Sequence, residues 1–139
     1  MVQISVDYLG DLYCQVEHKP SGNKFKTNAP VDNKGKGDYI SPTDLVAASI
    51  ASCVSTIMGI KAKELGVNLE GMNITASKIM TNVPFRRIDK LMLDINFPIE
   101  LNKKEFDILS NVVKICPVTK SLSSDIKLEY NFSFNNNIT

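Results

Sequence analysis

Residues 41–65 read SPTDLVAASIASCVSTIMGIKAKEL, and this stretch predicts a single long helix. Ser41 suits the N-cap, Pro42 suits the first helical position, and Asp44 completes an S-x-x-D capping box. Gly66 suits the position just past the end, where a left-handed residue commonly stops a helix. At about 1.5 Å per residue, the helix would be roughly 35 Å long, enough to cross a small domain.

The middle of this helix, residues 46–60, carries no charged residue, which is typical of a buried helix. At helical spacing, one side is lined by Val46, Ile50, Cys53, Ile57 and Ile60. Small Ala and Ser side chains fill the other sides, and one sheet could cover only part of them. We therefore expect a dimer in which two copies of the helix bury each other.

Composition bounds the remaining possibilities. We expect one domain over residues 1–139, with 43% hydrophobic residues for its core. A net charge of +1 and the absence of Trp give no support for nucleic-acid or acidic-membrane binding. The N-terminus has no basic region followed by an apolar run, and residues 45–60 look too short and too rich in Ser to span a membrane. These observations favour a cytoplasmic protein.

Around the long helix, the sequence predicts an α+β domain with a mainly antiparallel sheet. Apolar and polar residues alternate, as in strands, over residues 2–8, 12–18, 23–27, 72–80, 91–97 and 126–134. The first three form an N-terminal antiparallel meander, and residues 28–40 form a loop. Residues 102–115 predict a second, amphipathic helix with Asn102 as its cap, and a short third helix runs from Pro117 through Leu122. The tail, residues 135–139, is expected to be frayed.

The chain has three cysteines, too few and too scattered for a disulfide scaffold. Cys53 lies at the centre of the long helix, where a thiol is most often a small apolar group. Cys116 precedes Pro117 at a helix start, where backbone N–H groups and Lys120 could stabilise a thiolate. The two could form a redox pair if the fold brings their Cα atoms within about 6 Å. Cys14 is interpreted as a packing residue of its strand.

Other site chemistry has little support in this sequence. Cys14 and the single histidine, His18, would lie roughly 13 Å apart along a strand, too far to share a metal. No G-x-S-x-G elbow is present, and the glycines of NKGKGDY do not form a phosphate loop between a strand and a helix. We expect no cofactor and no metal.

Three segments together resemble the OsmC/Ohr family. They are SPTDLVAASIASCVSTIMGIKAKELGV, the PFRRI turn with the strand after it, and ICPVTKSLSSDIKLEYNF. The characteristic pair is a cysteine at the centre of a long helix opened by S/N-P and a second cysteine in a C-P-V/I segment. The resemblance covers most of the chain and implies an OsmC-like fold: an intertwined homodimer with active sites at the subunit interface.

The resemblance also implies a thiol-dependent peroxidase that reduces organic hydroperoxides in oxidative-stress defence. Cys53 would be the peroxidatic residue and Cys116 the resolving residue, joined in a disulfide after each turnover. A dithiol, in this family typically lipoyl-linked, would restore both thiols. The alternatives are a non-enzymatic dimeric protein that binds a small apolar ligand, and a thiol redox sensor.

The sequence departs from the best-characterised members of the family at the residues that activate the thiol. Residues 1–40 contain no arginine, and Thr43, followed by Asp44, stands where those members carry a glutamate. Arg86 and Arg87 are the only arginines of the chain. Because a buried thiol needs a cation or a donor to ionise, Thr43, Asp44, Arg86 and Arg87 are the candidate activating residues.

Overall fold

The computed structural model describes residues 1–135 and divides into two compact units, Met1–Val46 and a second unit from Ala47 onward. The strands are β1 (Ile4–Gly10), β2 (Tyr13–His18), β3 (Lys24–Asn28), β4 (Asn73–Thr81), β5 (Arg87–Phe97) and β6 (Lys127–Phe134). The helices are α1 (Pro42–Leu65), α2 (Lys103–Asn111) and α3 (Pro117–Ser121), with 3-10 turns at Val31–Asn33 and Val112–Lys114. The predicted α+β class is confirmed, and the expected fraying of the tail lies outside the described residues, except at Asn135. The expectation of one domain stays a prediction.

The first unit is built on the predicted meander, an antiparallel sheet in the order β1–β2–β3. A polar network fixes the loop that follows it. Tyr13 donates its hydroxyl to Asp38 at 3.0 Å, and the amide group of Asn28 donates to the same carboxylate. The backbone N–H of Tyr39 donates in turn to the Asn28 side chain at 3.0 Å. The loop is therefore tied to the sheet close to the start of α1.

Helix α1 begins and ends as the sequence predicts. The Asp44 N–H donates to Ser41 Oγ at 3.1 Å, and the Ser41 N–H donates to the Asp44 carboxylate at 2.9 Å, which completes a capping box. At the other end, Gly66 has a φ of 71°. The N–H groups of Gly66 and Val67 donate to the carbonyls of Lys63 and Ala62, the pattern of a Schellman motif.

The face of α1 that is buried differs from the prediction. The buried residues are Ala47, Ile50, Val54, Met58 and Ala62. Of the predicted stripe, only Ile50 is fully buried, whereas Ile60 is 54% exposed and Cys53 is partly exposed. At about 100° per residue, the buried face is rotated by roughly a quarter turn from the predicted one. Cys53 therefore lies at the edge of the buried face and not at its centre.

The charge-free run of residues 45–60, expected to be too short for a membrane span, is part of the longer helix α1. Helix α1 has 24 residues and an apolar window of mean hydropathy 1.7, so by length and composition alone it could cross a bilayer. A core helix of a soluble protein meets the same criterion, which makes this weak evidence for a membrane span. Only 28% of the window is buried within the chain, so the helix is not buried on all sides by its own chain.

The second unit contains a sheet in the order β4–β5–β6, with β5 at its centre. Strands β4 and β5 are antiparallel, but β5 and β6 are parallel, which corrects the prediction of further antiparallel strands at this position. The reason is the connection: α2 and α3 carry the chain back along the sheet before β6 begins, as a parallel pair requires. Alternate residues of β5 are fully buried, namely Leu91, Leu93, Ile95 and Phe97.

Helix α2 begins at the predicted cap, with reciprocal hydrogen bonds between Asn102 and Glu105. It ends nine residues later, and a 3-10 turn continues to Lys114. Phe106 of α2 packs edge-on against Phe132 of β6, with ring centroids 5.4 Å apart, and Phe97 of β5 stacks on the same ring at 6.2 Å. These aromatic contacts hold α2 against the strands β5 and β6. Cys116 follows α2 and the 3-10 turn in the sequence.

Candidate functional site

Cys53 lies in the fourth turn of α1, between the buried Val54 and the exposed Ser52. The thiol is free and partly exposed. Because the helix is rotated relative to the predicted face, Cys53 borders both the core and the helix surface. A small molecule approaching the helix could therefore reach this sulfur.

Cys116 occupies the N-cap of α3 and is fully buried, with an exposed fraction of 0%. Pro117 takes the first helical position, as predicted, and the Lys120 N–H donates to the Cys116 carbonyl at 3.0 Å. The backbone N–H groups of Val118 and Thr119 point at the sulfur and lower the pKa of the Cys116 thiol. Lys120, expected to add a cation, is exposed, and the groups that lower this pKa most are Cys53, then Thr119 and the backbone amides.

The fold brings Cys53 and Cys116 together as hydrogen-bond partners, although they lie on different helices. Burial, followed by the hydrogen bond that Cys53 donates to Cys116, raises the pKa of the Cys53 thiol. For Cys116, burial opposes ionisation, but the hydrogen bonds from Cys53, Thr119 and the backbone outweigh it and lower the pKa. The first negative charge of the pair therefore resides on Cys116, with the remaining proton on Cys53.

Two neighbours of the pair were not predicted from the sequence. Thr119 lies three residues after Cys116, and its side chain is close enough to lower the pKa of the Cys116 thiol. Tyr130 reaches the same cluster from β6, and Cys116 acts on its ionisation through charge. A signal was available for Tyr130, because it falls on the apolar side of an alternating strand between Leu128 and Phe132.

The role of the candidate activating residues stays a prediction, but the structure shows their contacts. Arg87 donates to the carbonyls of Ile88 and Asp125 and pairs with Asp89 at 3.6 Å, at the start of the central strand β5. Arg86 lies in the exposed loop before β5. Thr43 and Asp44 belong to the first turn of α1, where Asp44 completes the cap. The pKa values of the two thiols are set mainly by burial, by their shared hydrogen bond, by Thr119 and by backbone amides.

In residues 1–135, no group of three or more His, Cys, Asp or Glu side chains is placed to hold a metal ion. Cys14, the third thiol, lies in β2 of the first unit, opposite Tyr8 and Thr27 in the sheet register. It is partly exposed, so the interpretation as a packing residue stays a prediction.

Comparison with protein families identifies a match over residues 35–131, to the family described as OsmC-like protein. This range contains both Cys53 and Cys116. A search of curated proteins gives no match.

Comparison with solved structures gives matches over nearly the whole chain. A structure from Psychrobacter arcticus 273-4, described as an osmotic stress induced and detoxification response protein, is 41% identical, with a TM-score of 0.90 and coverage of 95% of this chain and 96% of that one. An organic hydroperoxide resistance protein OsmC from Legionella pneumophila is 19% identical, with a TM-score of 0.78 and coverage of 96% of both chains. The organic hydroperoxide resistance protein OhrB of Bacillus subtilis is 16% identical, with a TM-score of 0.71 and coverage of 95% and 97%. The last two show that the fold is shared.

Proposed function

Because the chain belongs to the OsmC-like protein family, we propose that it reduces organic hydroperoxides through Cys53 and Cys116. The observation that carries the proposal is the hydrogen-bonded pair of thiols, one partly exposed on α1 and the other fully buried at the start of α3. Two solved structures of the same fold are named organic hydroperoxide resistance proteins, which supports a peroxide-related role.

Cys53 is the sulfur that meets the peroxide, because it is the accessible member of the pair. Only a thiolate attacks peroxide, so the proton of Cys53 must first leave. Cys116 accepts it along the hydrogen bond that already joins the two sulfurs. Cys53 then attacks the distal oxygen of ROOH and becomes a sulfenic acid, and the alkoxide leaves as ROH with the proton that Cys116 had accepted.

The second step joins the two sulfurs. Cys116, again a thiolate, attacks the Cys53 sulfenic acid; the S–S bond forms and hydroxide leaves, to become water with one proton. An external dithiol, such as a lipoyl group, then reduces the disulfide by thiol–disulfide exchange. The apolar residues of α1 around Cys53 favour an alkyl hydroperoxide over hydrogen peroxide. Location in the cytoplasm stays a prediction.

The test uses the reduced chain and cumene hydroperoxide. We expect stoichiometric loss of peroxide and a Cys53–Cys116 disulfide on mass-spectrometric mapping. Cys53→Ser removes the attacking sulfur and should lower the rate at least 100-fold, as loss of a nucleophile does. Cys14→Ser is the matched control and should leave the rate unchanged, because Cys14 takes no part in the pair. Unmodified thiols in folded protein, or full activity of Cys53→Ser, would contradict the proposal.

One observation favours the alternative of a non-enzymatic ligand-binding protein. A groove of about 410 Å³ opens between the C-terminal half of α1 and the segment 67–72. Its lining includes Ser55, Gly59 and Ala62 on the helix and Leu69 and Met72 on the segment. If the protein consumes no peroxide but binds small apolar molecules, and Gly59→Leu abolishes the binding, this groove and not the thiol pair is the functional site.

A further inference from the structure

Two buried hydroxyls lie beside the thiol pair without a well-aligned hydrogen-bond partner among the described residues: Thr119 Oγ1 and the Tyr130 hydroxyl. Nearly all buried polar atoms in folded proteins have a partner, because burying an unsatisfied one costs free energy. Only these two side-chain atoms of residues 1–135 are in this position. Both hydroxyls lie next to Cys116, so one property of Cys116 could explain why both lack a partner.

The cluster has a definite order. Thr119 is in the first turn of α3, and its hydroxyl is close enough to Cys116 to favour the thiolate. Tyr130 comes from β6, and it is within reach of the Thr119 hydroxyl. Neither hydroxyl has a hydrogen-bond partner among the described residues, but each can rotate about its C–O bond toward an acceptor. A sulfur that carries a full negative charge is a stronger acceptor than a neutral thiol and orients such donors.

We propose that Thr119 and Tyr130 are positioning residues that hold Cys116 as the ionised member of the thiol pair. Thr119 donates its hydroxyl to Cys116 Sγ, and Tyr130 donates its hydroxyl to Thr119 Oγ1. The orphan hydroxyls are then satisfied whenever Cys116 is ionised. The role in peroxide turnover rests on the function proposed above, but the hydrogen-bond chain itself does not.

The chain of hydroxyls affects two chemical quantities. It keeps Cys116 ready to attack the Cys53 sulfenic acid; in that step the Cys116 sulfur is oxidised, the Cys53 sulfur is reduced, and hydroxide leaves. It also stabilises the dithiol form against the disulfide, in which Cys116 carries no charge. A disulfide whose reduced form is stabilised is more oxidising. Removal of the hydroxyls should therefore slow resolution and make the disulfide harder to reduce.

No other titratable side chain is seen to compete for this role within the part of the chain described. Cys53 faces Cys116 from α1, and Tyr130 of β6 is close enough for the charge of Cys116 to raise its pKa. On its own helix, the backbone amides of residues 118 and 119 contribute, and Lys120 is exposed. The amides are unchanged by side-chain substitution, so the contribution of the hydroxyls can be isolated.

The experiment compares Thr119→Val, which removes the hydroxyl at nearly constant volume, with Thr119→Ser, which keeps it. The first readout is the ultraviolet absorbance of the thiolate as a function of pH, in a Cys14→Ser, Cys53→Ser background where Cys116 is the only thiol. We expect Thr119→Val to reduce the thiolate fraction at neutral pH by roughly tenfold, the effect of losing one hydrogen bond to a charge. Thr119→Ser should titrate like the parent.

The second readout is the equilibrium of the Cys53–Cys116 disulfide with glutathione, in the Cys14→Ser background. Thr119→Val should shift this equilibrium toward the disulfide by a similar factor, and Tyr130→Phe should shift it in the same direction by less. A merely structural role would alter the thermal unfolding midpoint but not this equilibrium. Tyr130→Phe also keeps the inference testable if Thr119→Val does not fold.

Neither readout uses peroxide, so the two proposals fail separately. If the hydroxyl variants shift the thiolate fraction and the glutathione equilibrium while peroxide is not consumed, the positioning role stands and the peroxidase proposal falls. If peroxide is consumed but Thr119→Val and Tyr130→Phe behave like the parent, the positioning role is wrong. Identical behaviour of Thr119→Ser and Thr119→Val would also overturn it.

Discussion

At the scale of single residues, the two thiols differ in exposure and in the direction of their pKa shifts. Cys53 is accessible but its pKa is raised by burial, whereas Cys116 is enclosed but its pKa is lowered by the hydrogen bonds it accepts. Neither residue has both properties that a peroxidatic thiol needs. In the proposed mechanism, their shared hydrogen bond supplies what each lacks, because a proton can pass from the accessible sulfur to the ionised one.

This division predicts the pH dependence of the first step. Cys116 has a lowered pKa, so the pair keeps its negative charge as pH falls until that lowered value is passed, below the ordinary thiol value of 9.0. Sulfenic-acid formation on Cys53, measured in a single turnover with a trapping reagent, should therefore lose half its rate at a pH below 9.0. In Cys116→Ala, the base is gone and burial still raises the pKa of Cys53. The profile should then move to higher pH.

An unchanged profile in Cys116→Ala would mean that Cys116 does not take the proton of Cys53.

The directions of the two pKa shifts also determine how the stability of the fold depends on pH. Because the pKa of Cys116 is lower in the folded chain than in the unfolded one, its ionisation contributes stability above the unfolded value. That contribution is lost as pH falls through the folded value. The raised pKa of Cys53 acts in the opposite sense: its contribution is present below the unfolded value and is lost as pH rises through the folded one.

At the scale of elements, helix α1 is fixed by the chain at both of its ends. Ser41 and Asp44 satisfy the first turn, and Gly66 closes the last one in a left-handed conformation. Ser41→Ala should lower the free energy of unfolding by about 1 kcal/mol, the usual cost of losing an N-cap. Chemical denaturation of the reduced protein measures this.

The matched control for the cap is Ser52→Ala, an exposed position in the middle of α1. It should change stability by less than about 0.5 kcal/mol, because alanine is a good helix former and no buried group is lost. Equal losses for Ser41→Ala and Ser52→Ala would show that the capping box contributes nothing particular.

The same elements show what could be predicted from the sequence. The caps of α1 and α2, the alternation of β6 and the short α3 are local patterns, and the sequence predicts each close to its observed bounds, whereas β5 begins at Arg87, before the predicted start at Leu91. The buried face of α1 was not predicted correctly, because a helix without charges over residues 46–60 has no polar side to mark the solvent. The parallel pairing of β5 with β6 depends on a connection, and alternation carries no information about strand direction.

The site was predictable in the same uneven way. The residue types and the helix start at Pro117 pointed to Cys53 and Cys116. The alternation of β6 places Tyr130 on its apolar side, but it does not say that this side meets Thr119 and Cys116, which lie elsewhere in the sequence. The role of an arginine in activating the thiol stays a prediction, and Arg87 pairs with Asp89 at the start of β5.

At the scale of the whole molecule, the exposed side of α1 supports the proposal of a homodimer. Ile60 is 54% exposed on a helix whose other exposed positions over residues 46–60 are small, as at Ala48 and Ser52. We expect light scattering to give twice the chain mass of 15.4 kDa. Ile60→Glu should convert the protein to monomer at micromolar concentration, because a charge would be buried between two copies.

The matched control for assembly is Ile99→Glu, which places the same charge at a position that is 42% exposed and lies outside α1. It should leave the dimer intact. A mass of 15.4 kDa for the parent protein would refute the dimer, and equal dissociation by both variants would show that α1 is not the interface.

The parallel pairing of β6 with β5 makes the last described strand a neighbour of the sheet's central one, and this has a consequence during translation. Cys116 leaves the ribosome 63 residues after Cys53 (116 minus 53), and β6, which carries Tyr130, follows later still. At roughly 5–20 residues per second, Cys53 emerges about 3–13 s before its partner. Throughout that interval, Cys53 lacks the neighbour that is proposed to accept its proton. In the nascent chain, the proposed activation of Cys53 therefore has to wait until Cys116 and β6 have been made.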